Sequence, residues 1–435
     1  MNHRSTIAEQ PVAPPQTGLM ARMGRVVRAV IVAGWTVVLV AVGRHRVYVS
    51  HDSLSNYAHI WYVSEQLRRG RGLPFHMPML AGGHAYAYPY AFVPWTLTAI
   101  ARLALGDWAV TLCLVAGFVT VLVLIFVALP ELRVPWCEIV VLVNPALVMG
   151  LLVGQIPFLW ATASLFAAIA AWRHHRRWLA TALGTLAMAT HPAVLIPLTL
   201  TVVIAALARS RNRRALGWRA VLATAVALPA AVIVLRSPAV TQTSPWFRIE
   251  QLTRIVAARG TVVAVPFALL ALRRYHPRLT LPAAFVVLGG LNAVLVGPMN
   301  RYAWAAPWRQ PDERIGMYIS SLDFRSNATY RVLGYSDGRV SMYRLIQSGA
   351  RLDGEFFPES QARHSWPSER AYQQFLQDRH IDTVIAWHSY DTRWHTNEHN
   401  LLRQLSQHST CPTDPVTIHF VAAYPAFDVY HVHTC

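Results

Sequence analysis

The sequence has few charged residues and no lysine. Of its 435 residues only 14% are charged, whereas 54% are hydrophobic. Soluble globular chains carry about 25% charged residues, so this composition argues against an ordinary cytosolic enzyme. All 39 basic residues are arginine, which we attribute to genomic base composition rather than to mechanism.

Acidic residues are also scarce, 21 against 39 basic ones, and the net charge is +18. The excess lies before Gly297, where 26 arginines face only 7 acidic residues and the net charge is +19; beyond that point it is −1. Short arginine clusters between long apolar runs are typical of a polytopic membrane protein. This distribution does not favour nucleic acid as a partner.

Nine apolar runs predict transmembrane helices. They are near the roughly 20 residues that cross about 30 Å of hydrocarbon, the shorter ones only together with flanking residues. The first, Val26–Gly43, has no cleavage site after it and is too long for the apolar part of a signal peptide. We therefore expect an uncleaved helix with a cytoplasmic N-terminus. The other eight are Trp108–Leu129, Trp136–Gly154, Pro157–Trp172, Leu179–Thr190, Val194–Leu207, Trp218–Leu235, Thr261–Leu272 and Leu281–Val296.

A tenth segment, Tyr86–Ala104, could cross the membrane or lie along its outer surface. Its Tyr, Trp and Pro content is typical of a membrane interface. If it crosses the membrane, the arginine clusters at 173–177 and 209–214 lie outside the cell. If it lies on the outer surface, both clusters lie in the cytoplasm, the side on which arginines of membrane proteins concentrate. We therefore expect nine crossings, interfacial helices and an outer loop at 44–107.

Three regions follow from this pattern. Residues 1–25 are expected to form a cytoplasmic, disordered N-terminus, residues 26–299 the transmembrane domain, and residues 300–435 an extracytoplasmic soluble α/β domain. The last region has alternating patches at Thr329–Leu333 and Val416–Ala422, and a helix at Ser368–Arg379 that leads into the apolar run Ile381–Trp387. About 135 residues suffice for an independent core.

The four cysteines fall into two pairs. Cys113 and Cys137 lie in or near predicted membrane helices, where we expect inert packing. Cys411 and Cys435 lie in the predicted outer domain, and an oxidising compartment favours a disulfide between them. Two free thiols are the alternative.

The first outer loop carries the strongest candidate for chemistry. Asp52, with His51 beside it, precedes Ser53–Gly70, whose apolar residues predict an amphipathic helix lying on the membrane. Asp52 could cap that helix, which is the favoured interpretation, or could act as a general base or metal ligand at a membrane-surface cavity. Both roles are compatible.

Two further positions interrupt apolar sequence. Gln155 lies in a short break between two predicted spans, which either places it beside the first outer loop or forms a plain tight turn. His191, before a proline, either faces a cavity or polar partner within the membrane or is a connector at the outer surface.

Arginines on the predicted outer side would suit an anionic phosphate, although most are expected to be solvated or bound to lipid headgroups. Arg301, just past the last run, is the candidate for a phosphate contact. The other ten are Arg44, Arg46, Arg68, Arg69, Arg71, Arg102, Arg236, Arg248, Arg254 and Arg259.

One metal-site pattern is discounted. His395 and His399 fit H-x-x-E-H, the signature of one metallopeptidase class. Thr396 resembles a helix cap, which would leave His395 outside the helix that should present both ligands. We expect a polar loop there rather than zinc.

The order of these features resembles the GT-C superfamily of integral-membrane glycosyltransferases. The residues that carry the resemblance are an outer loop opening with Asp52, the stretch "LSNYAHIWYVSEQLRRGRGLPFHMPMLAGGHAYAYPYAFVP", the break "NPALVMGLLVGQIPF" and "THP". More narrowly, the chain is similar to bacterial membrane proteins labelled as related to 6-pyruvoyl-tetrahydropterin synthase, a label that implies no pterin chemistry. The ends "FLQDRHIDTVIAWHS" and "FDVYHVH" are similar to the small α/β domain of those proteins.

The resemblance implies transfer of a sugar, with inversion, from a polyprenyl-phosphate donor to a glycan, lipid or protein acceptor at the outer face of a bacterial cell membrane. Asp52 matches the essential acidic residue, although no second carboxylate adjoins it. His51, Gln155 and His191 would line the site. Arginine, optionally with a divalent cation (Mg²⁺ or Mn²⁺), would stabilise the departing lipid phosphate.

Two other functions are alternatives to glycosyl transfer. The runner-up is a non-catalytic GT-C-like scaffold that binds lipid-linked glycans in envelope assembly. A secondary transporter is less favoured, because the hydrophobic pattern shows no inverted repeat and a large outer domain has no role in alternating access.

Overall fold

The structure is a computed structural model, and one part of the chain is described. The described residues are 18–50, 52–74, 77–79, 91–209, 213–236, 245–275, 304–308, 327–333, 344–345, 347–353, 365–388, 391–392 and 396–435.

The N-terminal part is helical, as the apolar runs predict. Its helices, named here α1 to α11, are Gly18–Gly43, Ser53–Arg68, Phe92–Leu105, Trp108–Ala128, Pro135–Leu142, Pro145–Leu152, Ile156–Arg173, Arg177–Thr190, Pro192–Arg209, Arg213–Arg236 and Pro245–Tyr275. Each of the first eight predicted runs contains helix, whereas the ninth, Leu281–Val296, lies outside the described residues.

Four helices of the described chain are long and apolar enough to cross a membrane. They are Arg22–Gly43 in α1, Trp108–Ala128 in α4, Ile156–Arg173 in α7 and Arg213–Val232 in α10. A fifth span results if α5 and α6 act as one. Valines and tryptophans on α1 and α10 are more than 60% exposed, among them Val30, Val40 and Trp218, and hydrocarbon would cover such surfaces.

The third predicted run is not one straight helix. α5 and α6 meet at a bend of 43°. Pro145 has no backbone N–H to continue α5, and Asn144 caps α6 by accepting a hydrogen bond from the Ala146 amide at 3.0 Å. The Asn144 amide also donates to the carbonyl of Thr261 in α11, at 2.9 Å, so the bend joins two distant helices.

α1 begins earlier than the sequence predicts. It starts at Gly18, so part of the segment expected to be disordered is helical. One face packs on α5, where Trp35 donates to the Leu142 carbonyl at 3.0 Å and Arg28 pairs with Glu138 at 2.7 Å. Before the apolar run, Gly24 also lies against α5, where a Cβ would come within 3.1 Å of Trp136.

α2 is not the surface helix with one apolar face that the sequence predicts. Tyr57, Ala58 and Ile60 are at most 1% exposed, and the polar residues Asn56 and Ser64 are buried as well. α3 covers α2: the Trp95 ring stacks on His59 at 4.2 Å between ring centroids. The difference arises because the polar side chains of α2 are satisfied by neighbouring helices instead of water.

The C-terminal region contains the predicted α/β elements. The strands β1 to β5 are Thr329–Leu333, Arg351–Leu352, Thr383–Trp387, Val416–Ala423 and Phe427–Thr434, and the helices α12 and α13 are Glu369–Asp378 and Glu398–His408. They form a sheet of order β2-β1-β3-β5-β4, in which β1 is parallel to β2 and β3, and β5 is antiparallel to β3 and β4. The sequence predictions of β1, α12, β3 and β4 are confirmed.

A buried arginine joins this sheet to its helices. Arg331 in β1 is 4% exposed and bonds to Asp353 at 2.7 Å and Glu398 at 2.6 Å. At the other side of the sheet, Cys411 and Cys435 form a disulfide with their Cα atoms 5.6 Å apart, within the usual range of roughly 4.4–6.8 Å. The bond ties the C-terminus to the loop before β4.

Candidate functional site

The chain after α1 is fixed against the connection between α6 and α7. The hydroxyls of Tyr48 and Ser50 both donate to the Leu152 carbonyl, each at 2.6 Å. The amide of Asp52 then donates to the Val153 carbonyl at 2.8 Å. These three bonds set the position of Asp52 before α2 begins.

Gly154 permits the close approach of the two segments. Its φ is +81°, and a Cβ at this position would lie 2.5 Å from the Cβ of Ser53. The side-chain amide of Asn56 donates through Nδ2 to the Gly154 carbonyl at 2.9 Å, and its Oδ1 accepts a hydrogen bond from the Trp95 indole at 2.8 Å. Gly154 therefore lies where only glycine fits, between α2 and the turn that carries Gln155.

Asp52 does not cap α2 with its side chain. It occupies the N-cap position with helical backbone angles and makes no side-chain capping bond, so the favoured sequence interpretation is wrong. Its Oδ2 instead accepts a hydrogen bond from Nε2 of Gln155 at 2.9 Å. The structure thus places Gln155 beside the first loop, which was one of the two alternatives for this break.

Arg259 in α11 completes the cluster. Its Nη2 lies 3.7 Å from Oδ2 of Asp52, and its Nη1 lies 2.9 Å from Nε2 of His191. Because a guanidinium only donates, His191 must accept through Nε2 and is a neutral imidazole with its proton on Nδ1. The guanidinium also lies over the Phe158 ring, 5.5 Å from its centroid.

His191 combines features of both sequence alternatives. It is the single residue between α8 and α9, as a connector would be, but its side chain is buried and faces Arg259. The side chains of Asp52 and Arg259 are about one-fifth exposed, 21% and 18%. Partial burial strengthens the interaction between opposite charges relative to bulk water.

We name Asp52, Gln155, His191 and Arg259 the loop cluster. It brings together three of the predicted site residues; the other two, His51 and Arg301, lie outside the described residues. Sequence reasoning included Arg259 only as one of ten outward arginines. Arg259 lies one residue before the glycine that opens an apolar run. This position could have distinguished it from the other nine arginines.

The loop cluster does not fit a divalent cation. A metal site needs several oxygen ligands, whereas the Asp52 carboxylate is paired with an amide and a guanidinium. In the described part of the chain no three His, Cys, Asp or Glu side chains are grouped to hold a metal. The positive charge beside Asp52 comes from Arg259.

A second polar network anchors the far end of α2. Arg102 in α3 bonds to Asp107 at 2.8 Å and to the Ser64 hydroxyl at 2.7 Å. Gln347, from the C-terminal region, donates to the hydroxyl of Tyr57 and lies 3.5 Å from Asp107. The C-terminal region thus contacts α2, the helix that follows Asp52.

Two residues of the discounted H-x-x-E-H pattern, Glu398 and His399, belong to the described part of the chain, and both bond to other side chains. Glu398 pairs with Arg331, and Nε2 of His399 lies 2.9 Å from Asp428. Asp428 also bonds to His388 at 3.0 Å. Burial opposes ionisation of Asp428, but the hydrogen bonds from His388 and His399 outweigh it and hold the pKa of that carboxyl below its usual value.

No protein-family model matches the chain, and no curated protein matches it either.

Proposed function

We propose that the chain is a GT-C-like membrane glycosyltransferase that transfers a sugar from a polyprenyl-phosphate donor to an envelope glycan, lipid or protein on the outer face of a bacterial cell membrane. The observation that carries the proposal is the loop cluster, in which a carboxylate suited to activate a hydroxyl lies beside an arginine suited to bind phosphate. This pairing of functions is what transfer from a lipid phosphate needs.

The position of the cluster along α7 supports an outer-face site. Gln155 immediately precedes α7 and Arg173 ends it. Eighteen helical residues span ~27 Å, close to the ~30 Å of a hydrocarbon core. Arginines gather at the far end, where Arg173 and Arg273 both bond to Glu131. If these arginines are cytoplasmic, the loop cluster faces outward.

The wider architecture in this proposal has nine crossings. The four or five apolar spans of the described chain support membrane embedding, and the remaining predicted crossings complete the count. The C-terminal domain then lies outside the membrane, where its disulfide is stable.

In the proposed reaction, Asp52 accepts the proton of the acceptor hydroxyl while that oxygen bonds to the anomeric carbon. The bond from this carbon to the phosphate oxygen breaks on the opposite face, so the configuration inverts. Arg259 compensates the negative charge that develops on the leaving lipid phosphate. Gln155 orients the carboxylate, and neutral His191 holds the guanidinium without repelling it.

The alternative, a scaffold that binds lipid-linked glycans, is favoured by one feature: the Asp52 carboxylate already has two partners in the absence of substrate. Purified full-length protein should be tested with radiolabelled polyprenyl-phosphate sugars for both binding and transfer. Transfer to a lipid or glycan acceptor fits the enzyme. Tight donor binding without transfer, over the common donor sugars and acceptors, contradicts it and favours the scaffold.

A further inference from the structure

An apolar cavity of about 560 Å³ lies among α7, α8, α9, α10 and α11. This volume is within the roughly 300–1,000 Å³ typical of small-molecule sites. Along α11 the wall runs from Gly260 to Ala271, ~16 Å at 1.5 Å per residue. The cavity is therefore about half as long as the ~30 Å hydrocarbon core is thick, which is the depth of one leaflet.

The cavity has a cationic end. Arg219 and Arg173 line it where α7 ends and α10 begins. Arg173 is paired with Glu131 at 2.7 Å. Arg219 donates through Nη1 to the Ala215 carbonyl at 3.3 Å, but its Nε is buried and has no hydrogen-bond partner among the described residues. A buried donor without a partner is costly, and a ligand acceptor would satisfy it.

The surroundings of Arg219 are those of a membrane interface. Its guanidinium lies 5.1 Å from the ring centroid of Trp178, which is 66% exposed. Exposed tryptophans concentrate at the level of lipid headgroups. Four more arginines, all exposed, lie at the same end of these helices: Arg176, Arg177, Arg213 and Arg214.

At the opposite end of the cavity, the described lining residues are apolar and include no cation. Leu198, Met188 and Gly260 line it, and none of the described residues of the loop cluster contributes to its wall. Thr199, whose hydroxyl is buried without a partner in the described part of the chain, lies along the cavity. A chain-like ligand would therefore enter with its charged end at Arg219.

We propose that this cavity binds an acyl chain of an anionic phospholipid whose phosphate lies at Arg219. Charge complementarity selects the ligand: basic residues attract anionic headgroups, and the apolar wall matches an acyl chain in length. The site is separate from the loop cluster and does not depend on the proposed glycosyltransferase activity. The bound lipid would fill the space between α7 and α10 in that leaflet.

Native mass spectrometry of the full chain tests this proposal. Protein in detergent is mixed with equal amounts of dioleoyl-phosphatidylglycerol and dioleoyl-phosphatidylcholine, and the retained lipid is counted. We expect one retained phosphatidylglycerol in the wild type. Arg219→Gln should lower its apparent affinity about fivefold and abolish the preference over phosphatidylcholine.

Further variants distinguish binding in the cavity from general electrostatic attraction between arginines and anionic lipid. Gly184 lines the cavity and a Cβ there meets nothing within 4 Å, so Gly184→Leu should fill the cavity and prevent retention of either lipid. Ala223→Leu fills the same space from α10 if Gly184→Leu does not fold. Arg214→Gln removes an equal charge outside the cavity and should leave binding unchanged.

Three results would overturn the proposal. An equal loss in Arg214→Gln and Arg219→Gln would mean diffuse attraction, and retention by both cavity-filling variants would place the lipid elsewhere. If Arg259→Gln abolished retention while Arg219→Gln did not, the occupant would be a lipid whose phosphate lies at the loop cluster.

Discussion

Gly154 determines at the residue scale whether Asp52 and Gln155 can meet. Its positive φ and its contact with Ser53 leave no room for a side chain, and the hydrogen bonds of Asp52 and Asn56 converge on the same turn. A residue with a Cβ would have to shift either α2 or the start of α7, and so separate the carboxylate from its partners.

We expect Gly154→Ala to lower the free energy of unfolding by about 2 kcal/mol or more, because strained backbone and a steric clash act together. Thermal unfolding in detergent measures this. Gly184→Ala is the matched control, since its Cβ would meet nothing within 4 Å in a helix. It should be neutral or stabilising by up to about 1 kcal/mol. Equal melting temperatures for the two variants would contradict the explanation.

At this scale the sequence predicted Asp52, Gln155 and His191 but not how they are joined. A short polar break between apolar runs is visible locally, and so is an acidic residue after a helix. The Arg259 contact joins residues more than two hundred positions apart, and no local pattern encodes it. The cap interpretation of Asp52 was wrong for the same reason, because a distant amide competes for the carboxylate.

The element that links the two parts of the molecule is α2. Gln347 donates to Tyr57, five residues after Asp52 on the same helix. We expect Gln347→Ala to weaken this docking by about 1 kcal/mol, the usual net value of a hydrogen bond. Hydrogen exchange of the α2 amides should become faster.

Gln374→Ala provides the control, because the exposed Gln374 bonds, among the described residues, only to Gln377 and Asp378 within α12. It should leave exchange in α2 unchanged. If Gln347→Ala also leaves exchange in α2 unchanged, the contact does not order the helix.

Asp428 in β5 should make the stability of the sheet depend on pH. Because its folded-state pKa lies below the ordinary value of 3.8, the unfolded chain takes up the proton first as the pH falls. The stability from this carboxylate is therefore present above about pH 4 and is lost as the pH drops through the folded-state pKa.

Hydrogen exchange of β5, corrected for the intrinsic rate, measures this effect. Wild type should be more protected than Asp428→Asn at pH 6, and the difference should shrink as the pH falls below 3.8, the ordinary pKa of the carboxyl. Asp378→Asn, at an exposed position in α12, should change little. A difference between wild type and Asp428→Asn that is as large at pH 2.5 as at pH 6 would contradict an ionic origin.

Elements with strong local periodicity were predicted from the sequence, whereas those defined by their environment were not. In β1 apolar and polar residues alternate, and in α12 the apolar residues recur at helical spacing. Both patterns are local and do not depend on neighbouring elements. α2 contains enough polar residues to suggest a solvated face, yet α3 and Gln347 bury it. The bend at Asn144 follows from Pro145 and is joined by a hydrogen bond to Thr261 in a distant helix, whereas the length of the apolar run alone suggested one span.

In the whole molecule, α7 separates a cluster of opposite charges at one end from a group of arginines at the other. If the chain spans the membrane as proposed, His174 and Gln407 lie on opposite sides. Both are exposed. In right-side-out vesicles, a membrane-impermeant maleimide should label Gln407→Cys and not His174→Cys. Labelling of both without permeabilisation would contradict the topology.

The transfer rate of Asp52→Asn tests the central claim most directly. With a saturating polyprenyl-phosphate sugar that wild type uses, the variant should lose kcat by roughly 10²-fold or more, as expected when a general base is removed. Donor affinity should change little, because Arg259 still faces the phosphate. Glu131→Gln, which removes a carboxylate at the opposite end of α7, serves as the control and should keep its rate. An Asp52→Asn enzyme as fast as wild type would contradict the account.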